Sequence, residues 1–264
     1  MLALSCSASA SPTAPATPIV KVTPAASHVT IHAGRNAHSF AGTPTVGALF
    51  MPNAYPTLHT CTASVIRSRT RDVIMTAAHC MTGNGRGYVF VPADDNGKAP
   101  YGVWKVTAAY GSPRWIHHTD TQRDWAFLRV ANHSKNGKVL RLQNAVGGNR
   151  LGAAAKAGQY VTVPGYPLGA ANRPITCRAP VYRHQGYPAF NCGGYPGGTS
   201  GSPWLVGSGK VRTVVGVIGG LHQGGCVPST SYSARLGKPA RAAFRRAADH
   251  GHADVFPERP SDGC

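Results

Sequence analysis

Glycine and proline divide this chain into short apolar runs. The sequence contains 32 glycines and 21 prolines, and only 14% of its residues are charged. Runs such as residues 46–50, 88–91, 125–130 and 160–163 are each followed closely by proline, glycine or asparagine. Short runs bounded by turn residues are typical of strands, whereas amphipathic helices need longer periodic segments. The pattern therefore predicts an all-β protein.

Three parts of the chain depart from this pattern. Residues 239–248 are rich in alanine and arginine and begin with proline, which predicts a helix near the C-terminus. Residues 1–44 are rich in alanine, serine, proline and threonine, and we interpret them as a truncated signal peptide followed by a disordered pro-segment. A disordered tail with no targeting role is the alternative. Residues 132–158 are polar and predict a connecting segment.

A serine lies among glycines in residues 197–203, Gly-Gly-Thr-Ser-Gly-Ser-Pro. Small residues permit a tight turn in which bare amides approach a ligand. Acyl transfer needs an oxygen nucleophile together with N–H donors for the developing oxyanion, and Ser200 in such a turn could supply both. A glycine-rich surface turn without function is the alternative.

A serine nucleophile needs a base, and the base needs an orienting carboxylate. Among twelve histidines, His79 directly follows the apolar residues 73–78 and precedes a cysteine. Among nine acidic residues, Asp124 leads directly into an apolar run, residues 125–130. A carboxylate shielded at the mouth of a strand binds an imidazolium strongly. His79 and Asp124 are therefore the candidate partners of Ser200.

Residues 76–80, 124–128 and 198–203, in this order, resemble the three signature segments of chymotrypsin-like serine proteases. The form Gly-x-Ser-Gly-Ser-Pro is most similar to the bacterial secreted branch that includes glutamyl endopeptidases. The resemblance extends over about residues 46–248.

The resemblance implies a fold of two packed six-stranded antiparallel β-barrels with a C-terminal helix. Residues 45–145 would form the first barrel, which carries His79 and Asp124. Residues 146–254 would form the second barrel with Ser200 and the terminal helix, and residues 255–264 would be a tail.

The resemblance also implies the role of each site residue. His79 is the general base and acid, Asp124 orients it, Ser200 attacks, and the backbone amides of Gly198 and Ser200 form the oxyanion hole. Many animal members have an aspartate before the serine, which pairs with a freed N-terminus on activation. Thr199 stands there, so this activation switch is absent from the sequence.

The cysteines indicate an oxidising compartment. Seven are present, and if Cys6 leaves with the leader, an even set of six remains without metal-type spacing. The resemblance implies a disulfide between Cys61 and Cys80. For the other four we favour Cys177 with Cys192 and Cys226 with Cys264, and Cys192 with Cys226 is the rival pairing. The protein is expected to be secreted and extracellular.

The substrate pocket is predicted from residues 217–225, which resemble a pocket wall of glutamyl endopeptidases. His222 matches a histidine that contacts a substrate carboxylate in those enzymes, although this stretch is one residue longer. Gly224 and Gly225 belong to the same wall, and Tyr195 lies in the loop before the serine, which lacks the carboxylate of a trypsin-like pocket. A preference for acidic residues before the scissile bond is expected, with His222 as a buried structural histidine as the alternative.

The formal charge of +18 predicts loose, salt-sensitive binding to anionic polymers. The basic residues are dispersed along the sequence without a basic-aromatic module, which argues against specific nucleic-acid recognition. No apolar run reaches the length of a membrane helix. The partners expected are protein or peptide substrates, and the protein is expected to be a monomer.

No cofactor or metal is expected. Residues 94–97, Asp-Asp-Asn-Gly, predict a turn in preference to a calcium loop. His117, His118 and Asp120 lack a recognisable ligand spacing and predict an exposed loop.

Two functions other than a protease remain open. A catalytically silent protease-fold module attaching to anionic surfaces would keep the fold, but such proteins usually lose a triad member, and all three are present here. An α/β hydrolase would need Gly-x-Ser-x-Gly, and Ser202 occupies the last glycine position.

Overall fold

The computed structural model describes residues 34–135, 137–168, 173–258 and 261–264. Most regular elements are strands: β1 (His38–Ser39), β2 (Val46–Phe50), β3 (His59–Ile66), β4 (Val73–Thr76), β5 (Val89–Pro92), β6 (Trp104–Tyr110), β7 (Ala126–Val130), β8 (His133–Lys135), β9 (Lys138–Leu140), β10 (Arg150–Leu151), β11 (Tyr160–Gly165), β12 (Ile175–Pro180), β13 (Tyr182–His184), β14 (Tyr187–Asn191), β15 (Pro203–Val206), β16 (Thr213–Val217) and β17 (Thr230–Tyr232). The α-helices are α1 (Pro113–His118), α2 (Leu142–Val146) and α3 (Lys238–Ala248).

The first half closes into a six-stranded antiparallel barrel in the order β2-β3-β4-β7-β6-β5. Its interior is filled by buried apolar side chains from every strand, including Leu49, Ile74 and Trp104. β4 pairs with β7 so that Thr76 lies opposite Ala126. Because the two strands are antiparallel, the end of β4 and the start of β7 meet at the same rim. This register positions the candidate site.

The second half contains two sheets. A six-stranded sheet has the order β1-β12-β11-β15-β16-β10, and a three-stranded sheet has the order β13-β14-β17. The chain leaves the larger sheet at Pro180, which lacks the N–H needed to extend a ladder. The all-β class, one closed six-stranded barrel and the C-terminal helix are confirmed, whereas the predicted second barrel is described as these two sheets. β15 was not predicted, since it offers only three apolar residues after Pro203.

The described fold begins before residue 45, earlier than the sequence predicted. His38 and Ser39 of β1 pair with Thr176 and Ile175 of β12. The N–H of Ala37 also donates to the carbonyl of Gly193 at 2.8 Å. These contacts are made by the backbone and leave no apolar pattern, so residues 34–44 read as part of the leader. The remainder of the predicted leader, with Cys6, lies outside the described residues.

Two predicted loops contain regular structure. The connecting segment 132–158 forms the hairpin β8-β9, then α2 and β10, and β10 pairs parallel with β16. His117 and His118 are exposed as expected, but they end helix α1 and do not lie in a loop. Ser112 caps this helix, because its Oγ accepts from the N–H of Arg114 at 3.3 Å. Asp94 makes a turn as predicted, since it accepts the N–H of Gly97 at 3.0 Å.

Helix α3 packs back onto the first barrel. Three of its alanines, Ala240, Ala243 and Ala247, join a core cluster with Phe127 of β7, against which Phe244 packs. Arg246 donates to Asp254 at 2.7 Å and to the carbonyl of Gly111 at 2.9 Å, and the hydrogen bond to Asp254 raises the pKa of this guanidinium. The C-terminal part of the chain is thereby fastened to the barrel that carries His79.

Across the residues that the structure describes, none of the helices has both the length and the apolar character needed to span a membrane.

Candidate active site

The predicted base, His79, lies in a 3-10 turn, Ala78–Cys80, two residues beyond the end of β4. A disulfide between Cys80 and Cys61 joins this turn to β3. The ring is buried, with 3% of the residue exposed. A short, crosslinked turn at the barrel rim leaves the imidazole little freedom to reorient.

Asp124 is fully buried and accepts three hydrogen bonds. Its Oδ1 accepts the backbone N–H of His79 at 2.9 Å, and its Oδ2 accepts the ring Nδ1–H of His79 at 2.8 Å. Oδ2 also accepts the backbone N–H of Gly220 at 2.7 Å. Because a carboxylate can only accept, these contacts hold the ring proton on Nδ1 and leave Nε2 as the nitrogen that can take a proton.

Ser200 lies in the loop between β14 and β15, and backbone contacts fix this loop against the first barrel. The carbonyl of Ser200 accepts the N–H of Thr62 at 2.7 Å, and the N–H of Gly201 donates to Ile218 at 2.7 Å. A Cβ on Gly201 would lie 2.2 Å from the carbonyl oxygen of Thr62. Only glycine fits this approach. Thr62 follows Cys61, so the serine loop contacts the strand to which the His79 turn is crosslinked.

The amides of the serine loop divide into used and unused donors. The N–H groups of Thr199 and Ser202 donate to the carbonyls of Pro196 and Thr199 at 3.3 and 3.0 Å. Within the described part of the chain, the amides of Gly198 and Ser200 donate to no protein acceptor. An oxyanion hole requires N–H donors that are not used within the protein.

A cavity of about 210 Å³ adjoins Ser200. Part of its wall comes from the segment that precedes Ser200 in the sequence, including Tyr195. Another part comes from the segment that follows β16, including Gly224 and Gly225. The Tyr195 hydroxyl donates to the carbonyl of Val163, and burial raises the pKa of this phenol above its ordinary range. Among the described residues, none that lines the cavity carries a charged side chain; the others are Pro196, Gly197, Thr199, Ile218, Gln223, Cys226, Val227, Pro228, Thr230 and Ser231.

Comparison with protein families matches residues 61–217 to the trypsin-like peptidase domain. The chain belongs to this family. The matched segment contains the His79 turn, Asp124 and the serine loop. Comparison with curated proteins gave no significant match.

Solved bacterial proteases resemble the peptidase in fold. The protease Anisep from Arthrobacter nicotinovorans is 24% identical with a TM-score of 0.68, covering 81% of this chain and 99% of its own. The thermostable serine protease AL20 from an extremophilic microorganism is 25% identical with a TM-score of 0.66, covering 78% of this chain and 98% of its own. A Glu endopeptidase is 17% identical with a TM-score of 0.58, covering 83% of this chain and 97% of its own. With the family match, they identify the peptidase as a serine endopeptidase.

The structure places His222 differently from the prediction. His222 is not among the described residues that line the cavity beside Ser200. Its Nδ1 lies 3.1 Å from the carbonyl oxygen of Asp262, to which it donates, and its backbone adopts a positive φ of +50°. The residue lies in a 3-10 turn, Leu221–Gly224, and its ring contacts the C-terminal tail. Tyr195, Gly224 and Gly225 line the cavity.

Disulfides fasten the peptidase at three places. The pairs are those that the sequence favoured: Cys61–Cys80, Cys177–Cys192 and Cys226–Cys264. Cys226 lines the cavity, so the last residue of the chain is bonded directly to the cavity wall. The tail residue Asp262, which contacts His222, is held close to the wall by this bond.

Sequence reasoning missed two residues that organise the site. Gly220 donates the third hydrogen bond to Asp124, and a Cβ on the preceding Gly219 would be in tight contact with Asp124 Oδ2, at 3.0 Å. The hydroxyl of Thr62 donates to the carbonyl of Gly198 at 3.1 Å and accepts the N–H of Tyr166 at 2.9 Å. The paired glycines in residues 219–220 were the only sequence signal for the contact between Gly220 and Asp124. No sequence signal marked the contacts of Thr62.

Proposed function

We propose that this endopeptidase cleaves peptide bonds through an acyl-enzyme formed on Ser200, with His79 as general base and acid and Asp124 as its orienting carboxylate. The buried hydrogen bond from His79 Nδ1 to Asp124 Oδ2 carries this proposal. It fixes the tautomer in which Nε2 accepts the proton of an attacking hydroxyl. The unused amides of Gly198 and Ser200 support the proposal, because they would bind the oxyanion of the tetrahedral intermediate.

Labelling with an organophosphonate tests the nucleophile directly. We expect stoichiometric modification of Ser200 in the active protein, complete loss of modification in Ser200→Ala, and a rate reduced by about 10³-fold or more in His79→Ala. Ser202→Ala is the matched control, since Ser202 is two residues away in the same loop. Mass spectrometry of the labelled peptide identifies the modified residue. Labelling that persists in Ser200→Ala would show that another residue is the nucleophile, and no labelling at all would favour the catalytically silent binding module.

For substrate selection we propose an uncharged side chain before the scissile bond. The predicted preference for acidic residues depended on His222. His222 is not among the described residues that line the cavity beside Ser200, and all of those residues are uncharged. Burying a substrate carboxylate or ammonium there without a charged partner would cost several kcal/mol. The volume of about 210 Å³ suits a side chain of small to medium size.

A panel of peptides that differ only at this position tests the preference. Leucine, valine or glutamine is expected to give kcat/KM values at least about tenfold above glutamate, lysine or arginine. His222→Ala is expected to leave this ranking unchanged, because His222 Nδ1 contacts Asp262 and His222 is not among the described residues that line the cavity. Faster cleavage after glutamate that His222→Ala abolishes would restore the original prediction and contradict the cavity argument.

We also propose that the protein acts outside the cell. Three disulfides on a chain of this size support an oxidising compartment. Protein or peptide substrates are expected there. The charge of +18 supports association with anionic polymers.

A further inference from the structure

Two adjoining grooves concentrate arginine side chains on one face of the protein. Their volumes are about 660 and 590 Å³. Together they form the arginine groove, which is lined by six arginines and five other residues: Arg67, Ser68, Arg69, Arg71, Gln143, Arg150, Leu151, Arg241, Phe244, Arg245 and Ala248. Arg67 and Phe244 line both parts, so the groove is an extended strip. Among the described residues, it shares no lining residue with the cavity beside Ser200.

The fold assembles this groove from distant segments. The turn after β3 carries Arg67, and its N–H donates to the carbonyl of Asn149 at 2.8 Å, which holds it beside β10 and Arg150. Helix α3 supplies Arg241 and Arg245 from the other side. Sequence analysis found the basic residues dispersed, and the structure shows that the fold gathers some of them.

The charge of the groove is largely uncompensated. No acidic residue lines the groove in the described part of the chain. Arg69 pairs with Asp249 at 3.3 Å, but both side chains are mostly exposed, so this pair contributes little. Arg241 and Arg245 are one helical turn apart, where like charges destabilise a helix. An anionic ligand would relieve this repulsion.

We propose that the arginine groove binds a linear polymer that carries repeated phosphate groups. An extended strip of exposed guanidinium groups matches charges repeated along a chain better than it matches one small anion. The cationic groups lining the groove are all arginine, whose planar fork binds phosphate through paired N–H donors. The site would let the enzyme remain bound to a polymer while it cleaves peptides, and it does not depend on the proposed triad.

Binding of fluorescent inorganic polyphosphate, followed by anisotropy at fixed salt, tests the site. The double variant Arg241→Glu with Arg245→Glu is expected to raise the Kd for polyphosphate by about tenfold or more. The control is Arg86→Glu with Lys138→Glu, which lowers the net charge equally at exposed positions outside the groove. This control variant is expected to raise the Kd by less than about threefold. Thermal unfolding of each variant confirms that the proteins remain folded.

Three outcomes would overturn the proposal. Equal losses in the two double variants would mean that net charge alone drives binding. Competition by poly-L-glutamate as effective as that by unlabelled polyphosphate of equal charge would contradict the preference for phosphate. Tighter binding of oligothymidylate than of polyphosphate at equal phosphate number would indicate recognition of bases. Weaker competition by polyglutamate, and oligothymidylate binding no tighter than polyphosphate, would support it.

Discussion

Replacing Asp124 with asparagine is expected to lower kcat by about 10⁴-fold while the protein stays folded. The carboxylate accepts hydrogen bonds from the ring Nδ1 of His79 and from the N–H of Gly220 on the same oxygen, Oδ2. If the NH₂ group of asparagine took the position of Oδ2, it would be a donor placed opposite two other N–H donors, and no hydrogen bond could form there. His79 would then move its proton to Nε2, and the nitrogen that must take the proton of Ser200 would already carry one.

The measurement is kcat and KM on one peptide substrate, with urea unfolding of the same preparations. Asp95→Asn is the matched control, because it makes the same chemical change at an exposed carboxylate and should leave kcat within about twofold. The donor clash should also lower the free energy of unfolding of Asp124→Asn by about 1–3 kcal/mol. A kcat within tenfold of the unmodified enzyme would contradict the role assigned to Asp124.

The elements that bear the chemistry could be predicted because each is local in the sequence. His79 and Asp124 border short apolar runs, and a buried strand places its end at a rim whatever the rest of the fold does. Ser200 is marked by the glycines around it, which are needed for a backbone that approaches Thr62 within a few ångströms. The all-β class followed from the same local pattern of short runs and turns.

The parts that could not be predicted depend on contacts between distant segments. His222 Nδ1 contacts the carbonyl of Asp262, forty residues further along the chain, and sequence spacing alone does not reveal that contact. The arginine groove joins a turn, a two-residue strand and a helix, none of which is distinctive by itself. Pairing of β1 with β12 uses backbone groups, which every sequence possesses.

Replacing Gly198 with alanine is expected to lower kcat/KM by about 10²–10³-fold. Gly198 has a φ of +88°, and a Cβ there would lie 2.5 Å from the backbone nitrogen of Leu168 and 2.8 Å from the carbonyl oxygen of Tyr166. Backbone atoms on both sides cannot give way as a flexible side chain would. The loop must therefore shift, and the N–H of Gly198 would leave the position from which it serves the oxyanion.

Gly207 provides a control with the same φ. Its φ is also +88°, yet no atom lies within 4 Å of the position that a Cβ would take. Gly207→Ala therefore carries only the cost of a left-handed alanine, about 1–2 kcal/mol of the free energy of unfolding, and kcat/KM should stay within about twofold. Because Gly198→Ala carries the same conformational cost, the difference between the two variants isolates the collision with residues 166 and 168. Equal kcat/KM values in the two alanine variants would show that the amide of Gly198 does not stabilise the transition state.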